Sequence, residues 1–184
     1  MNFILAGISF LLAIAVQFWV AGDPVIHVLV QFPLLAISGY LLVAGQTIRD
    51  VWVGPALVLA VCSILFWMLP RTLDAVLNDW GMHFAKFALL PLTVGVPLAL
   101  CWKRLHLIVR GFVKTETISM LGILGFLYTH APVRICNSYL IDDQIRLGFS
   151  FFYVAGALSL LWIIPVFRGA EVPTNQIIKK LRIL

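Results

Sequence analysis

Side chains that could bind a metal or move a proton are scarce in this sequence, and seven of the fifteen His, Cys, Asp and Glu residues fall in two polar segments, 69–86 and 128–146. The first segment contains Asp74, Asp79, His83 and Lys86, and the second contains His130, Arg134, Cys136, Asp142, Asp143 and Gln144. Both segments separate long apolar runs. Polar groups placed between membrane-crossing runs are candidates for function.

The donor types in these segments favour copper. Cysteine thiolate selects Cu(I), and imidazole binds either oxidation state of copper. We therefore predict a copper site formed by His83, His130, Cys136 and Asp142. No pair has a strong ligand spacing such as C-x-x-C or H-E-x-x-H. The alternative, in which each histidine only forms hydrogen bonds at the membrane interface, stays open.

The sequence after Pro70 predicts a short amphipathic helix that lies at the membrane interface. Proline suits the first helical position. The apolar stripe of this helix consists of Leu73, Val76, Leu77 and Trp80. Asp79 and His83 share one face if the helix continues through Gly81. Asp74, Asp79 and His83 then either line a site or are solvated residues of an anchoring helix.

Lys86 lies inside the apolar run that follows. An ammonium group in hydrocarbon is costly, so its side chain must extend to the interface or find a carboxylate. Asp142 or Asp143 is the candidate partner, because both are expected at the same membrane face. Arg134 is an alternative cation for either acid.

The run Asp142-Asp143-Gln144 precedes the last apolar run, and the N-terminus of a helix favours a carboxylate. We predict that Asp143 caps this helix and pairs with Arg146, three residues further on. Asp142 is then available to a partner or a cation, although either acid could take either part. Neither capping nor ion pairing gives Gln144 a role.

The composition places the chain in a membrane. It has 184 residues, of which 62% are hydrophobic and 11% charged, whereas soluble domains carry about 25% charged residues. The net charge of +5 is attributed to membrane topology and anionic lipid, and not to nucleic acid. No motif of a soluble enzyme is present, so we expect a protein that is not an enzyme.

Six apolar runs predict an all-α, polytopic membrane helix bundle of about six transmembrane helices. The runs cover residues 3–21, 25–46, 54–69, 82–102, 107–130 and 147–167. The third is expected to begin at Pro55. Residues 1–168 form the predicted transmembrane domain, and residues 169–184 form a basic cytoplasmic tail.

Charge sets the predicted orientation. With a cytoplasmic N-terminus, most of the 13 Lys and Arg residues fall in cytoplasmic loops, as the positive-inside rule requires. Both termini are then cytoplasmic, and segments 69–86 and 128–146 face the opposite compartment. We expect the inner (cytoplasmic) membrane of a bacterium.

The stretch "LGFLYTHAPVRICNSYLIDDQIRLG" resembles the C-terminal part of the caa3-type CtaG family of cytochrome c oxidase assembly proteins. The matching positions are Leu127, Tyr128, Asp143, Gln144 and Gly148. The segment "WMLPRTLD" is compatible with the same family, so the resemblance covers about residues 67–148. It implies a role in maturing a copper-containing oxidase, close to copper delivery.

Three functions stay open at this point. The first is a membrane assembly or copper-handling factor for a respiratory or related copper enzyme. The second is a non-catalytic accessory subunit that packs against other membrane subunits and lipids. The third is a small ion transporter that uses Lys86 with Asp142 or Asp143.

Overall fold

The computed structural model describes residues 2–20, 22–131 and 139–168, and every regular element among them is helical. The helices are α1 (Asn2–Val20), α2 (Ile26–Leu42), α3 (Asp50–Met68), α4 (Pro70–Asn78), α5 (Trp80–Trp102), α6 (Leu107–His130) and α7 (Ile141–Arg168). The predicted all-α class is confirmed for these residues. The basic tail predicted at 169–184 lies outside them.

Four helices are long and apolar enough to cross a membrane, namely α1, α3, α5 and α7. Helix α2 is apolar but shorter. Helix α6 is long, but its first half carries Arg110, Lys114 and Glu116. Large apolar side chains such as Phe18 and Val51 are mostly exposed, as lipid-facing residues are. The count of six spans and the cytoplasmic location of both termini stay predictions.

Helices α3 and α7 begin at least one full turn earlier than their apolar runs indicate. Helix α3 begins at Asp50, and Pro55 lies inside it instead of at its start. The missing N–H of Pro55 affects a carbonyl in the exposed first turn, where the cost is small. Helix α7 begins at Ile141, so Asp142 and Asp143 lie within its first turn and not before it.

Helices α2 and α5 cross in backbone contact at Gly39 and Gly95. A Cβ atom on Gly39 would overlap the carbonyl of Pro91, and one on Gly95 would overlap the carbonyl of Ala36. Only glycine permits this approach, as at small-residue contacts between membrane helices. Both helices have wide π turns near prolines, at Ile26–Gln31 and Pro91–Gly95.

This crossing places two distant polar residues side by side. Gln31 precedes Gly39 by eight residues (39 − 31), and Lys86 precedes Gly95 by nine (95 − 86). At ~1.5 Å rise per residue, the distance along α2 from Gln31 to Gly39 is similar to the distance along α5 from Lys86 to Gly95. Because α2 and α5 run in the same direction from the crossing, Gln31 and Lys86 meet at the same level of the bundle.

Helices α6 and α7 form a second closely packed pair. A Cβ atom on Gly148 would lie 2.7 Å from the Thr129 methyl group and 3.0 Å from the carbonyl oxygen of Gly125. The buried Gln144 donates from Nε2 to the carbonyl oxygen of Tyr128, at 3.3 Å. Three of the positions that carry the family resemblance, Tyr128, Gln144 and Gly148, therefore hold α6 against α7.

Gly39→Ala should destabilise the protein by about 1–3 kcal/mol, because the added methyl group overlaps backbone that cannot move aside. That corresponds to a fall in melting temperature of about 2–4 °C per kcal/mol for a chain of this size. Thermal unfolding of the purified protein in detergent measures the effect.

The matched control is Gly156→Ala in α7, where an added Cβ meets nothing within 4 Å. It should leave stability unchanged or raise it, since alanine favours a helix. Equal melting temperatures for the two variants would contradict the close crossing.

Candidate functional site: a buried lysine beside a cavity

The first turns of α5 bury the ammonium group of Lys86 completely, with 0% of the side chain exposed. Its Nζ donates to Oε1 of Gln31 at 2.6 Å and to Oε1 of Gln17 at 3.2 Å. The ring of Phe87 lies beneath the cation, 5.0 Å away at its centroid. Two amide dipoles and one aromatic face thus replace the water that this group would have outside the membrane.

Other hydrogen bonds fix the orientation of the Gln31 amide. Its Nε2 donates to the carbonyl oxygen of Ala13 at 2.9 Å and to Oε1 of Gln17 at 2.7 Å. A carbonyl oxygen can only accept, so the amide nitrogen must face α1 and the amide oxygen must face Lys86. Gln31 is 0% exposed, and its acceptor is therefore held in place for the ammonium.

Gln17 belongs both to this network and to the wall of an open cavity. The cavity has a volume of about 330 Å³ and lies between the end of α1, α4 and the start of α5. Its lining residues are Gln17, Val76, Leu77, Asn78, Asp79, Trp80 and His83. The Gln17 amide therefore lines the cavity and also accepts a hydrogen bond from Lys86.

Both predictions for Lys86 are wrong. The side chain does not extend to the interface, because it is fully buried. Nor does it pair with Asp142 or Asp143, since the ion pairs of the described residues join Arg104 to Asp50 and Arg146 to Asp23 and Asp143. Within residues 2–20, 22–131 and 139–168, helix packing places amides, and not carboxylates, around Nζ of Lys86.

His27 is a second fully buried polar residue near this network. It lies in the same wide turn as Gln31 and is 0% exposed. Its Nδ1 lies 3.1 Å from the hydroxyl of Tyr139, and that hydroxyl donates to the carbonyl oxygen of Val20 at 2.9 Å. These contacts join α1, α2 and the segment before α7.

Asp79 has a structural role that differs from the predicted one. The interfacial helix α4 begins at Pro70, as predicted, and buries Leu73 and Val76, but it ends at Asn78. Asp79 then caps α5 by accepting from the backbone N–H groups of Gly81 and Met82, each at 3.2 Å. It therefore precedes the helix that carries His83, and the two do not share the face of one continuous helix.

The predicted copper ligands are distributed over several elements. His83 lies in the cavity wall against Trp80 and Phe87, and His130 stacks on Phe126 at the end of α6. Asp142 is exposed in the first turn of α7. Among the described residues no three His, Cys, Asp or Glu side chains come together as a metal site requires.

Cys136 and Arg134 lie outside the described residues, so the complete four-ligand copper site stays a prediction. Asp74 is half-buried on α4, where its backbone oxygen accepts from the Asn78 amide. Its participation in a site also stays a prediction.

The predicted ion pair between Asp143 and Arg146 is confirmed, at 3.4 Å. Arg146 also pairs with Asp23, at 3.0 Å, which ties the start of α7 to the segment before α2. Asp143 lies inside the helix and not at its N-cap, where it stabilises α7 through the helix dipole. The availability of Asp142 to a partner or a cation stays a prediction.

Sequence reasoning missed Gln17, Gln31 and the partner of His27. A glutamine within an apolar run is itself a signal, because an amide in hydrocarbon needs a partner. Gln17, Gln31 and Lys86 are such polar residues, one in each of three apolar runs.

Comparison with protein-family models, curated proteins and solved structures finds no match to this chain. The resemblance to the CtaG family therefore stays a prediction.

A double-mutant cycle tests the network. Gln31→Leu should cost about 1.5–3 kcal/mol of stability, the usual range for a hydrogen bond to a charged group, because the ammonium loses its shorter acceptor. The same substitution in a Lys86→Met background should cost at least ~1 kcal/mol less, since no charge remains to be compensated. Unfolding in detergent gives all four stabilities.

An equal cost of Gln31→Leu in the two backgrounds would show that the amide does not stabilise the ammonium.

Proposed function

We propose that this protein binds a small anion at Lys86 within the membrane, as a receptor or transporter of such anions does. The observation that supports the proposal is the fully buried amino group of Lys86, which has two amide acceptors and, among the residues that the structure describes, no carboxylate bound to it. A buried charge without a counter-charge is costly. A bound anion supplies the missing charge.

The position of Gln17 supplies a route to Lys86. Its bond to the ammonium is 3.2 Å long, against 2.6 Å for Gln31, and its side chain is only partly buried. An anion in the cavity displaces this weaker acceptor and takes its place. Gln31 keeps its position, because its Nε2 remains bonded to the carbonyl oxygen of Ala13. A volume of about 330 Å³ is at the lower end of small-molecule sites, roughly 300–1,000 Å³.

A positive charge on Lys86, behind Gln17, disfavours a metal cation at His83. A cation on His83 would lie in the field of the Lys86 ammonium, which repels it. Asp79, at the cavity wall, already accepts two hydrogen bonds from the start of α5. Two other predictions are independent of this proposal. One is copper handling through His130, Cys136 and Asp142, and the other is association with a copper-containing oxidase.

Anion binding is tested by thermal unfolding of the purified protein, followed by tryptophan fluorescence. The probes are the sodium salts of formate, nitrate, hydrogen carbonate and hydrogen phosphate. At a hundredfold excess over Kd, binding should stabilise the protein by about 2.7 kcal/mol. That equals roughly 5–10 °C at about 2–4 °C per kcal/mol. Lys86→Met should abolish the stabilisation.

Lys114→Met is the matched control. It removes the same charge from another helix, where the ammonium lies over the ring of Trp162, and it should leave the effect of anions intact. Gln17→Ala should tighten binding several-fold, because the anion no longer displaces an amide. The proposal is wrong if no probe stabilises the wild-type protein, or if Lys86→Met responds as Lys114→Met does.

A further inference from the structure

The cavity beside Gln17 is larger than a small inorganic anion. Its volume of about 330 Å³ has room for roughly ten water molecules at ~30 Å³ each. Nitrate and hydrogen phosphate have about as many heavy atoms as four or five such waters. An anion of that size next to Lys86 would therefore leave about half of the cavity to another part of a ligand.

The wall around this remaining volume is apolar along one side. Val76 and Leu77 of α4 and the indole ring of Trp80 at the start of α5 line the cavity. Trp80 is 77% exposed, so its ring surface is available to an occupant. Methylene groups gain free energy when they leave water for apolar surface of this kind.

The lining residues give the cavity a direction. Gln17, which accepts from Lys86, lies at one end, and Trp80 precedes Lys86 on α5 by six residues (86 − 80). At ~1.5 Å rise per residue, that separation is about 9 Å along the helix axis. A ligand whose charged group reaches Lys86 can therefore extend along α5 towards the ring of Trp80.

The charges in the wall limit the ligand to one negative group. Among the described residues that line the cavity, only Asp79 is acidic, and it lies next to Trp80. A second anionic group at this end of the ligand would be repelled by the Asp79 carboxylate. The Lys86 end suits an anionic group, and the Trp80 end suits an uncharged, apolar group.

We propose that the ligand of this site is a monocarboxylate with a short apolar chain. Its carboxylate takes the place of the Gln17 amide at Lys86, and its chain packs against Val76, Leu77 and Trp80. The proposal rests on anion binding at Lys86 and names the class of anion.

A chain-length series tests this inference by isothermal titration calorimetry of the protein in detergent. The probes are acetate, butanoate and hexanoate. Each buried methylene should tighten binding roughly two- to fourfold, so hexanoate should bind roughly tenfold more tightly than acetate or better. Hexanedioate, which adds a second carboxylate to the same carbon chain, should bind roughly tenfold more weakly than hexanoate. The control for uptake into the detergent is 1-hexanol, which should give no saturable binding.

Two tryptophan variants locate the chain. Trp80→Ala removes one apolar side of the cavity, so the ratio of the acetate Kd to the hexanoate Kd should fall by roughly threefold or more. Trp52→Ala is the matched control. Trp52 is also largely exposed, at 59%, but it lies at the start of α3 and does not line the cavity. Its loss should leave the ratio unchanged.

The outcomes distinguish this inference from the anion site itself. Equal Kd values for the three monocarboxylates, with all binding lost in Lys86→Met, would overturn the apolar chain and leave the anion site standing. A ratio that falls equally in Trp80→Ala and Trp52→Ala, or in neither, would overturn the place of the chain against Trp80. Hexanoate binding that persists unchanged in Lys86→Met would overturn the anion site and this inference together.

Discussion

The buried amino group of Lys86 sets a requirement that the packing of α1, α2 and α5 must meet. An ammonium in a dry interior needs oxygen acceptors, and the chain supplies them as amides from α1 and α2. These amides stay in register with Lys86 because the glycine contact between α2 and α5 fixes the level at which the helices meet. The close backbone contact at Gly39 and Gly95 therefore positions the side chains of the site.

Residues close to this site connect the α6–α7 pair to α1 and α2. Tyr139 joins His27 and Val20 to the segment before α7, and Arg146 joins α7 to Asp23. The α6–α7 pair, held together at Gly125 and Gly148, is thus attached next to the buried histidine. The Tyr139 hydroxyl bonds to His27 of α2 and to Val20 of α1, so both helices are connected to the segment that precedes α7.

Hydropathy and local spacing predicted the features that depend on neighbours in sequence. The helical class, the start of α4 at Pro70 and the pair Asp143–Arg146 follow from such short-range rules. The N-cap role of Asp79 could also have been predicted from the sequence, because an apolar run as long as a helix follows it. The partners of Lys86 were not, since Gln17 and Gln31 lie 69 and 55 residues away. Their meeting depends on a backbone crossing that periodicity does not encode.

The most direct measurement of the central claim is ¹⁵N NMR of the lysine side chains in the protein reconstituted in nanodiscs. We expect one Nζ signal, absent from Lys86→Met, that is protected from exchange with water and shifts saturably as hydrogen carbonate is added. The other lysine signals should not shift. A Lys86 signal that exchanges with water as fast as the others and ignores the anion would contradict the account.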